Sequence, residues 1–321
     1  MKAVIVTHPG GPEVLTYTTV PTPAIKPGWT RLKVAGFGIN HSEIFTRAGE
    51  SPSVKFPRIL GIEAVGTIDA TSAPDQFTVG QTVVTLMGEM GRAFDGSYAE
   101  YVLVPNTQVY PITTKLAWTD MAAVPETYYT AFGIFKSLQL QANDRVLIRA
   151  VTSGVGIAVL KLIQALPFTV TVTGTTRSAK KTAALQELGL DQVLITTDAT
   201  QLPAATGEFD KIVDLIGPAA TTDSFKHLAE FGILNSTGQL GGQWTLPDFD
   251  PITVIPNNRY LTGFYSGDVD GQLIQQLFDY IAEHHVDVTP TKVFTLAETP
   301  QAHEYLAQAT GFGKVVVRVN A

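Results

Sequence analysis

A turn of small residues stands between two apolar segments of the sequence, DRVLIRA and IAVLKLIQAL. Its residues are Thr152, Ser153, Gly154, Val155 and Gly156. Small side chains let a backbone approach a diphosphate closely, and the free N–H groups that open a following helix favour an anion. Val151 and Ser153 stand at two glycine positions of the G-x-G-x-x-G pattern, so an ordinary strand-to-helix loop is the alternative. The turn predicts a dinucleotide-binding loop.

The next apolar run, TVTVTGTT, ends in a cluster of cations and hydroxyls. A loop that binds the ribose of NAD carries Asp or Glu about 20 residues past the glycines, and this cluster has no acid. A ribose 2′-phosphate would suit Arg177 as a bidentate donor, Lys181 as a point charge, and the hydroxyls of Thr175, Thr176 or Ser178. Ser178 is expected to cap a helix that starts here. The cluster predicts NADP(H), and a solvated helix start with incidental charges is the alternative.

Two later strand ends are expected near the other half of the dinucleotide, because such ligands lie beyond the carboxyl ends of parallel strands. The predicted residues are Ser236, Thr237, Gly238, Phe264, Tyr265 and Ser266. Asp214 with Gly217 is a further candidate at a strand end. A role in the core or in a dimer interface is the alternative for Phe264 and Tyr265.

The elements that must position these residues follow two different sequence patterns. The first 115 or so residues carry short apolar runs separated by Pro, Gly and Asn, which predicts many strands and little helix. From about Leu116, apolar runs alternate with helical stretches, which predicts right-handed crossovers and a doubly wound parallel sheet. Short apolar runs typical of strands return in the final residues, which are therefore expected to rejoin the first domain.

Composition excludes several classes of protein. The 321 residues are 45% hydrophobic and 16% charged, which predicts a globular chain with a large core. The net charge of -7 argues against nucleic acid or a membrane surface as partner. The absence of cysteine excludes disulfides and thiolate metal sites. With no apolar run of membrane-spanning length and no signal peptide in MKAVIVTHPGG, a cytoplasmic location is expected.

The chain resembles the medium-chain dehydrogenase/reductase superfamily over nearly its whole length. The segments that carry the resemblance are MKAVIVTHPGGPEVL, GINHSEIFTRAGE, FPRILGIEAVGTI, FDGSYAEYVLVP, AVTSGVGIAVLKL, VTVTGTTRSAKK and GKVVVRV. It implies an α/β fold in which a Rossmann doubly wound parallel sheet joins a mostly β, GroES-like catalytic domain. The GroES-like domain is expected at 1–115 and 286–321, and the NADP-binding domain at 116–285. Lys314, in GKVVVRV, joins the predicted cofactor-binding residues.

The zinc ligands of the superfamily's alcohol dehydrogenases are replaced. Asn40 stands where those enzymes have a cysteine, and Ile62 stands where they have a histidine. His41, Glu43 and Glu63 do not make a plausible tetrahedral set without those ligands, so no metal is predicted. Local hydrogen bonds are expected for His41 and an ion pair for Glu63. The histidines at 8, 227, 284, 285 and 303 show no ligand spacing and are expected on the surface or in packing.

The remaining resemblance is to the zinc-independent branch of quinone oxidoreductases and enone reductases. It implies hydride transfer from NADPH to a quinone or α,β-unsaturated carbonyl, with Asn40 near the nicotinamide. Hydrogen-bond donors can stabilise charge on the acceptor oxygen, and the candidates are Asn40, Tyr128 and Tyr129. The alternatives are a turn cap for Asn40 and a core position for at least one tyrosine. Phe45 stands where a tyrosine is common, so the resemblance supplies no phenol as proton donor there.

Two other functions remain open. One is an enoyl-thioester reductase of the same superfamily, which would need a basic entrance that the sequence lacks outside Arg177 to Lys181. The other is a protein that binds NADPH without turnover, as a redox sensor or structural protein. The resemblance also implies a homodimer, with the strand near Tyr260 to Ser266 as its contact.

Overall fold

The computed structural model describes residues 1–308 and 312–319. The chain forms two compact units. Unit 1 comprises Met1–Tyr129 and Ser266–Ala321, and unit 2 comprises Thr130–Tyr265. The helix Gly271–Glu283 falls in unit 1, whereas the sequence placed it within 116–285. The residue bounds of the two domains stay a prediction.

The strands are numbered in chain order. They are β1 (Lys2–Val6), β2 (Leu15–Thr19), β3 (Trp29–Ile39), β4 (Arg58–Ile59), β5 (Glu63–Thr71), β6 (Thr82–Leu86), β7 (Tyr101–Pro105), β8 (Tyr110–Pro111), β9 (Arg145–Arg149), β10 (Thr171–Thr176), β11 (Gln192–Ile195), β12 (Phe209–Asp214), β13 (Leu228–Ser236), β14 (Tyr260–Thr262), β15 (Lys292–Thr295) and β16 (Val315–Arg318).

The α-helices are numbered in the same way, and short 3₁₀ turns accompany them. The helices are α1 (His41–Ala48), α2 (Trp118–Met121), α3 (Pro125–Ser137), α4 (Gly154–Gln164), α5 (Thr182–Glu187), α6 (Pro218–Lys226), α7 (Pro251–Val254), α8 (Gly271–Glu283) and α9 (Thr299–Ala307). The 3₁₀ turns are Pro12–Val14, Asn106–Gln108, Ala179–Lys181 and Leu296–Glu298. No helix in the described ranges is long and apolar enough to cross a membrane.

Unit 1 is mostly β, as expected for a GroES-like domain. A seven-stranded sheet runs in the order β15-β16-β3-β5-β6-β8 with β7 also paired to β3, and a three-stranded sheet runs β2-β1-β4. Strand β3 is central, because β5, β7 and β16 all pair with it in the antiparallel sense. Buried side chains from β1, β3, β5 and β7 pack into one core with residues of α9. The C-terminal strand β16 thereby lies beside β3.

Unit 2 is built on a six-stranded sheet whose paired strands are all parallel. Its strand order is β11-β10-β9-β12-β13-β14, which is the order of a doubly wound nucleotide-binding fold. The alternation of apolar runs and helical stretches after Leu116 predicted this sheet correctly. Helix α4 packs on it with Val159, Leu162 and Ile163 buried. The predicted fold class is confirmed.

Candidate functional site

The small-residue turn joins β9 to α4 in unit 2. Ser153 is the N-cap of α4, and its hydroxyl accepts the N–H of Gly156 at 3.1 Å. Gly156 is required by packing, because a Cβ there would lie 2.7 Å from the Val151 carbonyl oxygen. The turn backbone is also held from β10, where Thr175 Oγ1 accepts the N–H of Ala150 at 2.9 Å. Thr152, Gly154 and Val155 are half-buried beside these contacts.

The cationic cluster follows β10. Arg177 is exposed, and Ser178 and Lys181 are half-buried. Burial, and then the nearby charge of Arg177, lower the pKa of Lys181. The two cations therefore lie close enough to repel each other, an arrangement that an anion would relieve.

The helix start predicted at Ser178 is wrong in detail. A 3₁₀ turn, Ala179–Lys181, comes first, and α5 begins only at Thr182. The side chain of Ser178 makes no capping bond, while its own N–H donates to Thr176 Oγ1 at 3.3 Å. The hydroxyls of Thr175 and Thr176 thus accept hydrogen bonds from the local backbone, and their role toward a phosphate stays a prediction.

The strand ends of β13 and β14 are joined by hydrogen bonds. Thr237 Oγ1 donates to Asn235 Oδ1 at 2.6 Å and accepts the N–H of Phe264 at 2.9 Å. Ser236 and Gly238 are half-buried at the same end of the sheet. Ser266, the first residue after unit 2 along the chain, is also half-buried. The ring of Phe264 lies against Gly133, where a Cβ would overlap it.

Two other residues predicted at strand ends differ in exposure. Tyr265 is 74% exposed, whereas Asp214 is fully buried. The Asp214 carboxylate accepts the N–H groups of Ile216 and Gly217 and the hydroxyl of Ser224, each at 3.0 Å. Burial raises the pKa of Asp214. Its contacts are therefore structural, because they bind the turn after β12.

A polar cluster in unit 1 brings together Asn40, Glu63 and Lys314. Lys314 Nζ donates to Glu63 Oε1 at 2.6 Å and to Asn40 Oδ1 at 2.7 Å, and Asn40 Nδ2 donates to Glu63 Oε1 at 2.8 Å. The ion pair expected for Glu63 is therefore confirmed. Asn40 is also the N-cap residue of α1, which is the alternative position given for it above. The partner of Glu63 lies 251 residues away and was not predicted.

The two candidate tyrosines are buried, with Tyr128 at 3% and Tyr129 at 1% exposure. Tyr128 Oη donates to the carbonyl of Asp287 at 3.3 Å. Tyr129 Oη donates to the carbonyl of Asp268 at 3.1 Å and accepts the N–H of Asp270 at 2.8 Å. Burial raises the pKa of both phenols. The core position expected for at least one of them holds for both.

His41 is half-buried near the charge of Lys314. Burial, and then the charge of Lys314, lower the pKa of His41. Ile62 is 4% exposed at the position where a histidine ligand would stand. Among residues 1–308 and 312–319, no three His, Cys, Asp or Glu side chains group so that they could hold a metal ion.

Unit 1 also contains a second buried network of hydrogen-bonded polar side chains, which the sequence did not predict. Arg47 donates to His303 Nδ1 at 3.1 Å, and His303 Nε2 bonds Tyr98 Oη at 2.9 Å. Arginine only donates, so Nδ1 accepts and the proton lies on Nε2. Tyr98 hydrogen-bonds Glu43, whose oxygens accept the N–H groups of Asn40 and Ile62. The Asn-x-x-Glu spacing from Asn40 could have signalled this capping glutamate.

The buried histidine of this chain predicts a pH-dependent stability. Burial, and then the charge of Arg47, lower the pKa of His303 to about 3 from 6.5. Between these values the unfolded chain binds more protons than the native state, so stability falls as pH drops from 6.5 toward 3. We expect His303→Gln, which can still accept from Arg47 and donate to Tyr98, to abolish a slope of about 1.4 kcal/mol per pH unit.

Urea unfolding at two pH values checks this prediction. Between about pH 6.5 and about pH 5, the wild type should lose roughly 2 kcal/mol more than His303→Gln. Burial raises the pKa of Glu43 to about 7, but this carboxyl is common to both proteins and drops out of the difference. The exposed His8 supplies the control, since His8→Gln should follow the wild type. Parallel pH dependence in all three proteins would contradict the assignment.

Two family models match the chain. Residues 26–114 match the model described as alcohol dehydrogenase GroES-like domain, and residues 188–317 match the model described as zinc-binding dehydrogenase. The first match lies within unit 1, and the second begins in unit 2 and continues into the C-terminal part of unit 1.

Individual relatives agree with these models. The chain is 26% identical to the quinone oxidoreductase of Lama guanicoe, over 99% of its own length and 97% of that protein's. It is also 26% identical to a highly reducing polyketide synthase of Arthrinium phaeospermum, of whose length it spans only 13%. Among solved structures, a mycobacterial protein complexed with NADPH is 26% identical, with a TM-score of 0.80 and 99% of each chain covered.

Proposed function

Because the chain belongs to the medium-chain dehydrogenase/reductase superfamily, in its quinone oxidoreductase-like branch, we propose that it reduces quinones or α,β-unsaturated carbonyls with NADPH and without zinc. The proposal rests above all on one observation. The parallel sheet of unit 2 carries a small-residue turn after β9 and two neighbouring cations after β10, where a dinucleotide fold binds phosphates.

The residues of unit 2 fit NADP(H) as the cofactor. The turn Thr152–Gly156 opens α4, whose first N–H groups would receive the pyrophosphate. Arg177 and Lys181 would receive the 2′-phosphate, which would relieve the repulsion between them. The mycobacterial structure with NADPH bound supports this choice of cofactor. Ser236, Thr237 and Gly238, with Phe264, Tyr265 and Ser266, stay the predicted contacts of the nicotinamide half.

In this proposal the protein orients the acceptor and donates hydrogen bonds to its carbonyl oxygen. When bound, the nicotinamide supplies the hydride that reduces the acceptor. Asn40 donates an N–H to the carbonyl oxygen of the acceptor, on which negative charge develops. Solvent supplies the proton, to the carbon next to that carbonyl in an enone and to the oxygen in a quinone. Tyr128 and Tyr129 stay secondary candidates, because their hydroxyls are engaged with main-chain groups.

A catalytic zinc does not fit these residues. Asn40 and Ile62 offer neither thiolate nor imidazole, and Glu63 is paired with Lys314. We therefore expect exhaustive treatment with a zinc chelator to leave the rate of NADPH oxidation unchanged. The check is the rate before and after treatment, together with the metal content of the active protein. Loss of activity that added Zn²⁺ restores would contradict the zinc-independent proposal.

A panel of acceptors tests the proposed function. NADPH oxidation is followed with a quinone, an enal, a simple aldehyde and an enoyl thioester, in the presence of the full chain. We expect turnover of the quinone or the enal and none of the simple aldehyde. Turnover of the enoyl thioester alone would favour that reductase instead. Binding of NADPH without oxidation by any acceptor would support a non-catalytic sensor and reject the enzyme.

We also propose that the chain forms a homodimer through the edge of the unit 2 sheet. Strand β14 is the last strand of that sheet, and Tyr260 and Leu261 on it are 55% and 38% exposed. Exposed apolar edge strands are places where a second chain adds its own strand. We expect the double substitution Tyr260→Glu and Leu261→Glu to yield a monomer by light scattering. A monomeric wild type, or a variant that stays dimeric, would contradict this interface.

A further inference from the structure

A buried ammonium group, that of Lys314, lies between the side chains of Asn40 and Glu63 in unit 1. Its Nζ is 2.6 Å from Glu63 Oε1 and 2.7 Å from Asn40 Oδ1. Lys314 is 7% exposed. Gly38 on β3 leaves the room for its stem, because a Cβ there would overlap Lys314 Cε and Glu63 Oε1. The strand thus keeps open the space through which the lysine reaches Asn40.

The carboxylate of Glu63 is fully buried and accepts three hydrogen bonds. Oε1 accepts from Lys314 Nζ and from Asn40 Nδ2, and Oε2 accepts the backbone N–H of Glu126 at 2.7 Å. A carboxylate only accepts and an ammonium only donates. The ion pair therefore determines the direction of the hydrogen bonds among Lys314, Glu63 and Asn40.

The ion pair also determines which way round the amide of Asn40 stands. Oδ1 faces the ammonium of Lys314, and Nδ2 faces the carboxylate of Glu63. Turning the amide over would set N–H groups against an ammonium and an oxygen against a carboxylate, which is repulsive at both ends. Nδ2 carries two hydrogens, of which Glu63 takes one. The second hydrogen is thereby held in one direction.

We propose that Lys314 and Glu63 are positioning residues, a buried ion pair that orients Asn40 so that its second Nδ2–H is presented to the acceptor's carbonyl oxygen. The proposal rests on the proposed function. A donor held in place stabilises developing charge without reorganising during the reaction. Lys314 acts through Asn40 rather than on the substrate, and this role differs from the cofactor contact predicted for it.

Substitution of Lys314 by methionine tests the orientation in the protein alone. Methionine keeps the apolar stem and removes the charge. The probe is the side-chain ¹H–¹⁵N pair of Asn40, assigned by its disappearance in Asn40→Asp. We expect slowly exchanging resonances, at shifts distinct from those of an unrestrained asparagine, in the wild type and in Lys33→Met, whose lysine is exposed on β3. In Lys314→Met the two resonances should move toward those of an unrestrained asparagine and exchange faster with water, and unchanged resonances would overturn the proposal.

Kinetics test the consequence for turnover. For Lys314→Met we expect kcat to fall about 100-fold, as when one oriented oxyanion donor is lost, with the Kd of NADPH within about twofold of the wild type. Lys314→Arg, which restores the charge, should recover much of kcat. An unchanged kcat would overturn the proposal. So would weaker NADPH binding at an unchanged kcat, which would point to cofactor binding by Lys314.

Lys314→Met leaves the buried Glu63 carboxylate unpaired and could for that reason fail to fold, so a second variant is used as well. The double variant Lys314→Met with Glu63→Gln carries no buried unpaired charge. It should show the same shifted, faster-exchanging Asn40 resonances and the same fall in kcat, and wild-type resonances would overturn the proposal. If the wild type reduces no acceptor, the proposed function fails. The resonances of Asn40 then decide the orientation of its amide independently.

Discussion

Replacing Arg177 with alanine is expected to weaken NADPH binding by about 1.5 to 3 kcal/mol, a factor of roughly 10 to 150, and to leave NADH binding nearly unchanged. The guanidinium lies at the end of β10, close enough to Lys181 to lower the pKa of that lysine. A 2′-phosphate would accept charge-assisted hydrogen bonds from Arg177, and NADH has no group that could replace it. Fluorescence titration of both cofactors measures the two affinities.

Lys180 provides the control for this substitution. Lys180 is exposed in the 3₁₀ turn Ala179–Lys181, between Arg177 and Lys181 in the sequence. Lys180→Ala therefore removes one positive charge near the cluster. An exposed charge without a bound partner contributes little, so its effect on NADPH should stay below about threefold. Equal losses of NADPH and NADH affinity in Arg177→Ala would contradict the assignment of the phosphate to this residue.

Replacing Gly156 with alanine is expected to destabilise unit 2 by about 2 to 3 kcal/mol and to weaken NADPH binding more than tenfold. Its Cβ would lie 2.7 Å from the oxygen and 2.8 Å from the Cα of Val151, and 2.9 Å from the oxygen of Ala150. These are backbone atoms that cannot rotate aside, so the start of α4 must move away from the preceding turn. At an open helix position, replacing glycine with alanine would instead raise the free energy of unfolding by about 1 kcal/mol.

Urea unfolding and NADPH titration measure the two parts of this prediction. The control is Gly271→Ala at the start of α8, where the Cβ would meet only the ring of Tyr110, at 3.2 Å and beyond. That variant should stay within about 0.5 kcal/mol of the wild type. A Gly156→Ala protein with wild-type stability and NADPH affinity would show that the close approach at this turn is not needed.

The architecture of unit 2 was predictable because its signals are local. Apolar runs that alternate with helical stretches identify a parallel sheet, and Gly156 marks where a helix packs against a strand end. The cations at Arg177 and Lys181 were visible in the same way. Their backbone was not, because Thr176 Oγ1 accepts the N–H of Ser178 and a 3₁₀ turn replaces the expected capped helix.

The polar clusters of unit 1 were not predictable from local patterns. Lys314 reaches Asn40 across 274 residues of sequence, and His303 reaches Tyr98 across 205. No periodicity connects such pairs, since the pairing of β16 with β3 creates the first contact and the packing of α9 on the β core creates the second. Only the capping relation of Glu43 to Asn40 is local enough to be found in the sequence.

The fate of the hydride tests the central proposal most directly. NADPH carrying deuterium at the transferred C4 position is incubated with the full chain and an enone, and the saturated product is analysed by mass spectrometry and NMR. We expect one deuterium at the β-carbon of the product and a solvent proton at the α-carbon. Consumption of the enone without deuterium at the β-carbon, or no consumption of any enone or quinone, would contradict the proposal.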